Sequence, residues 1–187
     1  MQDGVKALFV PTLNSGITYW RMYLPCLAGI RTKTIDGNLL WWQRDLNENH
    51  PWQNDILSNR YRARITGEIA AGVRIADVVV MGMIHTQAGL TTMQGIRECY
   101  GKPVVVEADD NVLSCPTYNP ASKFYNPDSP IRKMAVAQLR EADAVIVSTP
   151  YLKEVYSEFN ANIYVVPNSI DFELWGKANR TKNRGKI

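Results

Sequence analysis

Two adjacent carboxylates and an amide, Asp109-Asp110-Asn111, close the apolar run Val104-Val105-Val106-Glu107-Ala108. Three short polar side chains in a row can hydrogen-bond the hydroxyls of a sugar, act as a base, or bind a cation. The same residues can also do no more than cap a turn through Asx hydrogen bonds. His85 ends a second apolar run, Val78 to Ile84, with Thr86 and Gln87 beside it. An imidazole there suits an acceptor hydroxyl or a phosphate; a loop histidine satisfied by backbone is the plainer alternative. Asn14-Ser15-Gly16 follows the run Val5 to Val10 and Pro11. Gly16 allows close backbone approach, and the start of the next helix favours an anion. A tight turn explains the same residues. Tyr118, Asn119, Lys123, Phe124 and Tyr125 populate a long loop at 116–129. Their rings and amides suit sugar recognition, and a long loop over a cleft often serves as a lid, whereas aromatics packed on the domain are the bland reading. Trp41, Trp42 and Trp52 offer either a carbohydrate platform or core. His50 sits in a polar loop and carries no claim.

The elements that must carry these residues alternate in type. Strands are expected at Val5–Val10, Asp77–Met83, Pro103–Val106, Ala144–Val147 and Ile163–Val166. Helices are expected at Tyr19–Leu27, disturbed at Pro25, and at Gln53–Ile75, Gly89–Tyr100 and Ile131–Glu141. A further helix is expected over 150–159, where Leu152, Val155, Tyr156 and Phe159 recur at helical spacing after Ser148, Thr149 and Pro150. The stretch from Arg31 to Pro51 is hardest to read, with Leu39-Leu40-Trp41-Trp42 as a candidate strand. Pro167-Asn168 stops the last strand. Near-continuous apolar strands separated by helices predict an α/β fold: a Rossmann-like, doubly wound, mostly parallel sheet flanked by helices. Ligands bind such sheets beyond the carboxyl ends of the strands, which is where the candidate residues fall.

At 187 residues, 45% hydrophobic and 21% charged, the chain has the makings of one well-buried core. Its net charge of +3 is a property of one end. Lys177, Arg180, Lys182, Arg184 and Lys186 lie in a terminal segment without acids, so the remainder carries 16 basic against 18 acidic residues. That distribution argues against a nucleic-acid partner. The three cysteines, Cys26, Cys99 and Cys115, are odd in number and widely spaced, which suits small hydrophobes better than disulfides or zinc. No apolar stretch is long enough for a transmembrane span, and the start MQDGVKALFV is unlike a signal peptide. The cytoplasm is the expected location, with peripheral membrane attachment as a variant.

One resemblance is specific. Residues 142–175, ADAVIVSTPYLKEVYSEFNANIYVVPNSIDFELW, are similar to the end of the N-terminal domain in glycosyltransferases of the GT-B fold, the large retaining, nucleotide-sugar-dependent group. Its specific motifs cover residues 103–113 and 142–175; the rest, from Val5, matches in element order. In that family the segment matching Val165 to Asp171 leads into the interdomain linker, and many members have Gly where this chain has Ser169. The resemblance implies an N-terminal, acceptor-side domain at 1–175, with 176–187 as a basic linker towards a missing C-terminal domain. It implies sugar transfer from a nucleotide-sugar donor to a carbohydrate or lipid-linked acceptor, and no activity from this domain alone. Asp109 and Asp110 are then the catalytic candidates. Asn14, Ser15, Gly16, His85, Asn111, Tyr118 and Lys123 are the substrate-binding ones. Many relatives place His at the position matching Asp109, so its donor-holding role passes to an acid here. No metal and no cofactor are expected, because the adjacent acids lack DxD spacing and GT-B enzymes generally need no catalytic metal; a Mg²⁺ site on Asp109 and Asp110 is the minor alternative. The competing function classes are a non-catalytic carbohydrate- or phosphate-binding module of the same fold, and a flavodoxin-like nucleotide regulator. The latter is opposed by the absence of both GxGxxG and Walker patterns.

Overall fold

In a computed structural model, residues 4–11, 19–39 and 70–169 are described. Six strands form one sheet: β1 (Val5–Val10), β2 (Ile35–Leu39), β3 (Val78–Gly82), β4 (Val104–Ala108), β5 (Ala144–Val147) and β6 (Ile163–Val165). All neighbours pair in parallel, in the order β2-β1-β3-β4-β5-β6. The chain steps outward from β1 to β2 and then returns to β3 on the other side of β1, so the topology switches at β1 and β3. This is the α/β, Rossmann-like sheet flanked by helices that the apolar runs predict.

Period-two alternation divides the sheet's side chains between two cores. Leu8, Val10, Val79, Met81, Val104, Val106, Val145 and Val147 face one layer. That layer is built by α2 (Gln87–Tyr100), α3 (Pro130–Glu141) and α4 (Pro150–Tyr156), which supply Leu90, Met93, Ala135, Leu139, Leu152 and Tyr156. On the other face Ala7, Phe9 and Val80 pack against Met22 and Cys26. Met22 belongs to a single π-helical turn, Tyr19–Tyr23, and Cys26 to α1 (Leu24–Arg31).

Local chemistry explains the element ends. Thr86, Ser129 and Thr149 cap α2, α3 and α4 by accepting from Gly89, Ile131 and Leu152 backbone N–H groups, each at 3.2 Å. Pro130 and Pro150 occupy first-turn positions that need no N–H. Gly101 ends α2 at φ 61°, in the left-handed region that favours glycine.

Several boundaries differ from expectation. The helical run is irregular where Pro25 predicts it, a π turn at Tyr19–Tyr23 giving way to α1 with Pro25 in its first turn, but it runs on to Arg31 and not only to Leu27. α4 stops at Tyr156, and residues 157–159 are turn. β2 falls on Ile35–Leu39, where Asp, Gly and Asn obscure the strand in sequence but pairing with β1 creates it. The loop at 116–129 contains a 3₁₀ turn, Pro120–Phe124. Of the helix expected at Gln53–Ile75, residues 70–75 are described and helical. Leu40, Trp41, Trp42 and Trp52 lie outside the described residues, as does the segment beyond Ser169.

Candidate functional site

The carboxyl ends of β3, β4 and β5 bring the central candidates together. Asp109, half-buried, and Asp110, exposed, follow β4 directly. Their backbone is held by neighbours: Ser148 Oγ donates to the Asp109 carbonyl at 3.2 Å, and the Tyr156 hydroxyl donates to the Asp110 carbonyl. Tyr156 also accepts from Val112 N–H at 3.1 Å. Burial pushes its phenol up to about 12, so it stays a donor under any ordinary condition. Burial, then the adjacent Asp110 charge, raises the Asp109 carboxyl above the ordinary carboxylate range. The pair is therefore electrostatically unequal, an exposed acid beside one that is reluctant to ionise.

Asn111 serves the turn. Its Oδ1 accepts from Leu113 and Ser114 N–H at 3.0 and 3.1 Å, an Asx arrangement, while its Nδ2 donates to the Tyr151 hydroxyl at 3.2 Å. Tyr151 is 60% exposed at the start of α4.

Among the described residues His85 is held by a side chain and not by backbone. Its Nδ1 lies 2.9 Å from the Tyr125 hydroxyl, and the rings meet edge to face with centroids 5.4 Å apart. Burial lowers its pKa, with Asp110 acting in the opposite sense. The preceding residue is clamped by buried Gln138, which accepts from Ile84 N–H at 3.1 Å and donates to the Ile84 carbonyl. Helix α2 approaches the same turn so closely that a Cβ on Gly89 would lie 2.5 Å from the Ile84 carbonyl oxygen. The sequence marks neither Gln138 nor Tyr125 for this work, since an amide inside a helix and a tyrosine in a loop have many fates.

Tyr118, at 88% exposure, and Lys123, whose ammonium lies 4.9 Å from the Phe124 ring centroid, belong to the outer part of the loop. No contact joins either of them to the acids among the described residues. Asn14, Ser15 and Gly16 lie outside the described residues.

A buried ion pair beneath the acids is the main feature that residue spacing does not reveal. Glu107, in β4, projects to the same face as Val105 and meets Arg21 Nε at 2.6 Å, both side chains being at most 5% exposed. Arg21 also donates through Nη1 to the Val166 carbonyl at 2.5 Å and to Asn168 Oδ1 at 3.2 Å. Its Nη2 is buried without a partner among the described residues. Burial outweighs the Arg21 hydrogen bond and charge, and with Asp109 and Asp110 nearby pushes the Glu107 carboxyl up to about 7. The signal available beforehand was a lone acid within VVVEA, which strand alternation assigns to a covered face. Beside this pair a cleft of about 360 Å³ opens between Trp20, Leu24 and Arg31 on one side and Val166 and Pro167 on the other.

Among the described residues no three His, Cys, Asp or Glu side chains converge as a metal site, and no helix is long and apolar enough to cross a membrane. No protein-family model matches this chain, and no curated protein matches it.

Proposed function

We propose that this chain is the acceptor-side domain of a nucleotide-sugar-dependent glycosyltransferase of GT-B type. The observation that supports it most is the unequal acid pair Asp109–Asp110 at the carboxyl end of a central strand in an all-parallel sheet. In this reading an acceptor sugar lies over the ends of β3 and β4. Asp109 accepts the hydrogen bond of the reacting hydroxyl, burial and the adjacent Asp110 making its carboxylate a better proton acceptor than an ordinary aspartate. That proton leaves as the acceptor oxygen bonds to the donor sugar's anomeric carbon and the nucleotide diphosphate departs. Asp110 and Tyr151 bind neighbouring hydroxyls. Nucleotide contacts belong to a second domain, so the donor is a co-substrate of the whole enzyme and no further cofactor is required. The reading carries with it a cytoplasmic location, peripheral to a membrane where the acceptor is lipid-linked.

Calorimetric titration of the 187-residue protein with UDP- and GDP-sugars and with methyl glycosides tests this. Glycoside binding lost in Asp109→Ala, with weak or absent donor binding, is expected. Tight nucleotide binding would sink the assignment. Sugar transfer by this protein alone would sink its dependence on a second domain, and glycoside binding indifferent to Asp109 would favour a non-catalytic module.

A further inference from the structure

The loop at 116–129 and the turn after β3 meet at a polar contact, and both sides of it are pinned. On one side Gln138 holds the backbone of Ile84. On the other, Tyr125 N–H donates to the Ser122 carbonyl at 3.1 Å, and Ser129, the cap of α3, donates to the Phe124 carbonyl. Between them the Tyr125 hydroxyl lies 2.9 Å from His85 Nδ1, with the ring planes at 86°. A phenol has one proton to give, and a neutral imidazole accepts at one nitrogen only while the other carries its proton. His85 Nδ1 is an acceptor within hydrogen-bond distance of that hydroxyl. Burial, with Asp110 and Cys115 adding to it, raises the Tyr125 pKa, so the phenol keeps its proton. Burial also disfavours charge on His85, although Asp110 pulls the other way. With the phenol donating at Nδ1, the ring proton belongs on Nε2.

We infer that Tyr125 is a positioning residue that fixes His85 as the neutral Nε2–H tautomer, so that the ring and the Asp110 carboxylate form a donor and acceptor pair for adjacent hydroxyls of a neutral polyol. The ligand half of this statement rests on the sugar-binding reading above; the tautomer half does not. An anion such as phosphate is disfavoured at the same place. A neutral ring offers it no charge, three acids fall within Glu107–Asp110, and the nearby guanidinium of Arg21 is engaged by Glu107.

The chain has two histidines, so ¹⁵N-histidine labelling with long-range ¹H–¹⁵N spectra near pH 7.5 reads the tautomer directly, His50→Gln identifying the signals. Wild type is expected to show the Nε2–H form at His85, and Tyr125→Phe, which keeps the ring packing, a mixture of forms. An Nδ1–H form in wild type, or a tautomer unchanged in Tyr125→Phe, would overturn the positioning role whatever the fate of the sugar reading. In the same spectra glycerol, methyl glucoside and methyl mannoside are expected to shift the His85 signals, with affinity reduced about three- to tenfold in Tyr125→Phe, the worth of one hydrogen bond. Inorganic phosphate is expected to leave them in place. Shifts with phosphate alone, or with none of the four, would overturn the polyol half while leaving the tautomer result standing.

Discussion

Glu107 shows how far burial governs chemistry at a single residue. Its carboxyl titrates at about 7 in the folded protein against an ordinary value of 4.5. The folded state therefore holds a proton that the unfolded chain has lost, and stability is greatest below the unfolded pKa and declines as pH rises through the folded one. The shift amounts to about 3 kcal/mol, with Asp109 adding in the same sense. Urea denaturation at pH 5, 6, 7 and 8 should show stability falling across that interval. Glu107→Gln, neutral at every pH, should flatten much of the slope; a slope undiminished in that variant would mean that burial does not raise this carboxyl. The direction of the shift also assigns roles. Asp109, half-buried and with its pKa raised, is the acid proposed to exchange a proton, and Asp110 stands exposed beside it.

At the scale of elements, the turn after β3 is the part most sensitive to small changes, because α2 and the turn share no spare space. Gly89→Ala should cost about 2–3 kcal/mol, since its methyl would sit 2.5 Å from a backbone oxygen that Gln138 already pins. His85 lies one residue beyond that oxygen, so the same variant should weaken glycoside binding in calorimetry. Gly95→Ala in the same helix makes the contrast. A Cβ there meets nothing within 4 Å, and replacing a mid-helix glycine should raise stability by up to about 1 kcal/mol in thermal melts. Equal effects of the two would show that helix propensity, and not close approach, sets the behaviour of α2. The helix itself was readable in sequence over Gly89–Tyr100; the collision with Ile84 was not, because it joins residues from two elements in a geometry that spacing does not encode.

Across the whole molecule, Arg21 ties the first crossover to the fourth strand and to the chain leaving β6. Arg21→Met removes all three links and leaves Glu107 buried without its cation, a cost of about 3 kcal/mol. The double variant Arg21→Met/Glu107→Leu removes both charges and should recover most of that loss in denaturation experiments. Additive losses would show that the pair is not energetically coupled. The α/β class, five of the six strands and the cap of α4 were legible in the chain alone, because apolar runs, Thr before a helix, and Pro in its first turn act through local chemistry. So was the expectation that Asp109, Asp110 and His85 lie at strand ends. β2 escaped notice because its strand character comes from pairing with β1 and not from its own side chains. Tertiary structure alone decided that Asn111 spends its carbonyl on a turn, that Tyr125 meets His85, and that Arg21 and Glu107 close a buried pair across 86 residues of sequence. Those are contacts between separate elements, and they depend on the order and register in which strands assemble, which no local pattern of residues specifies.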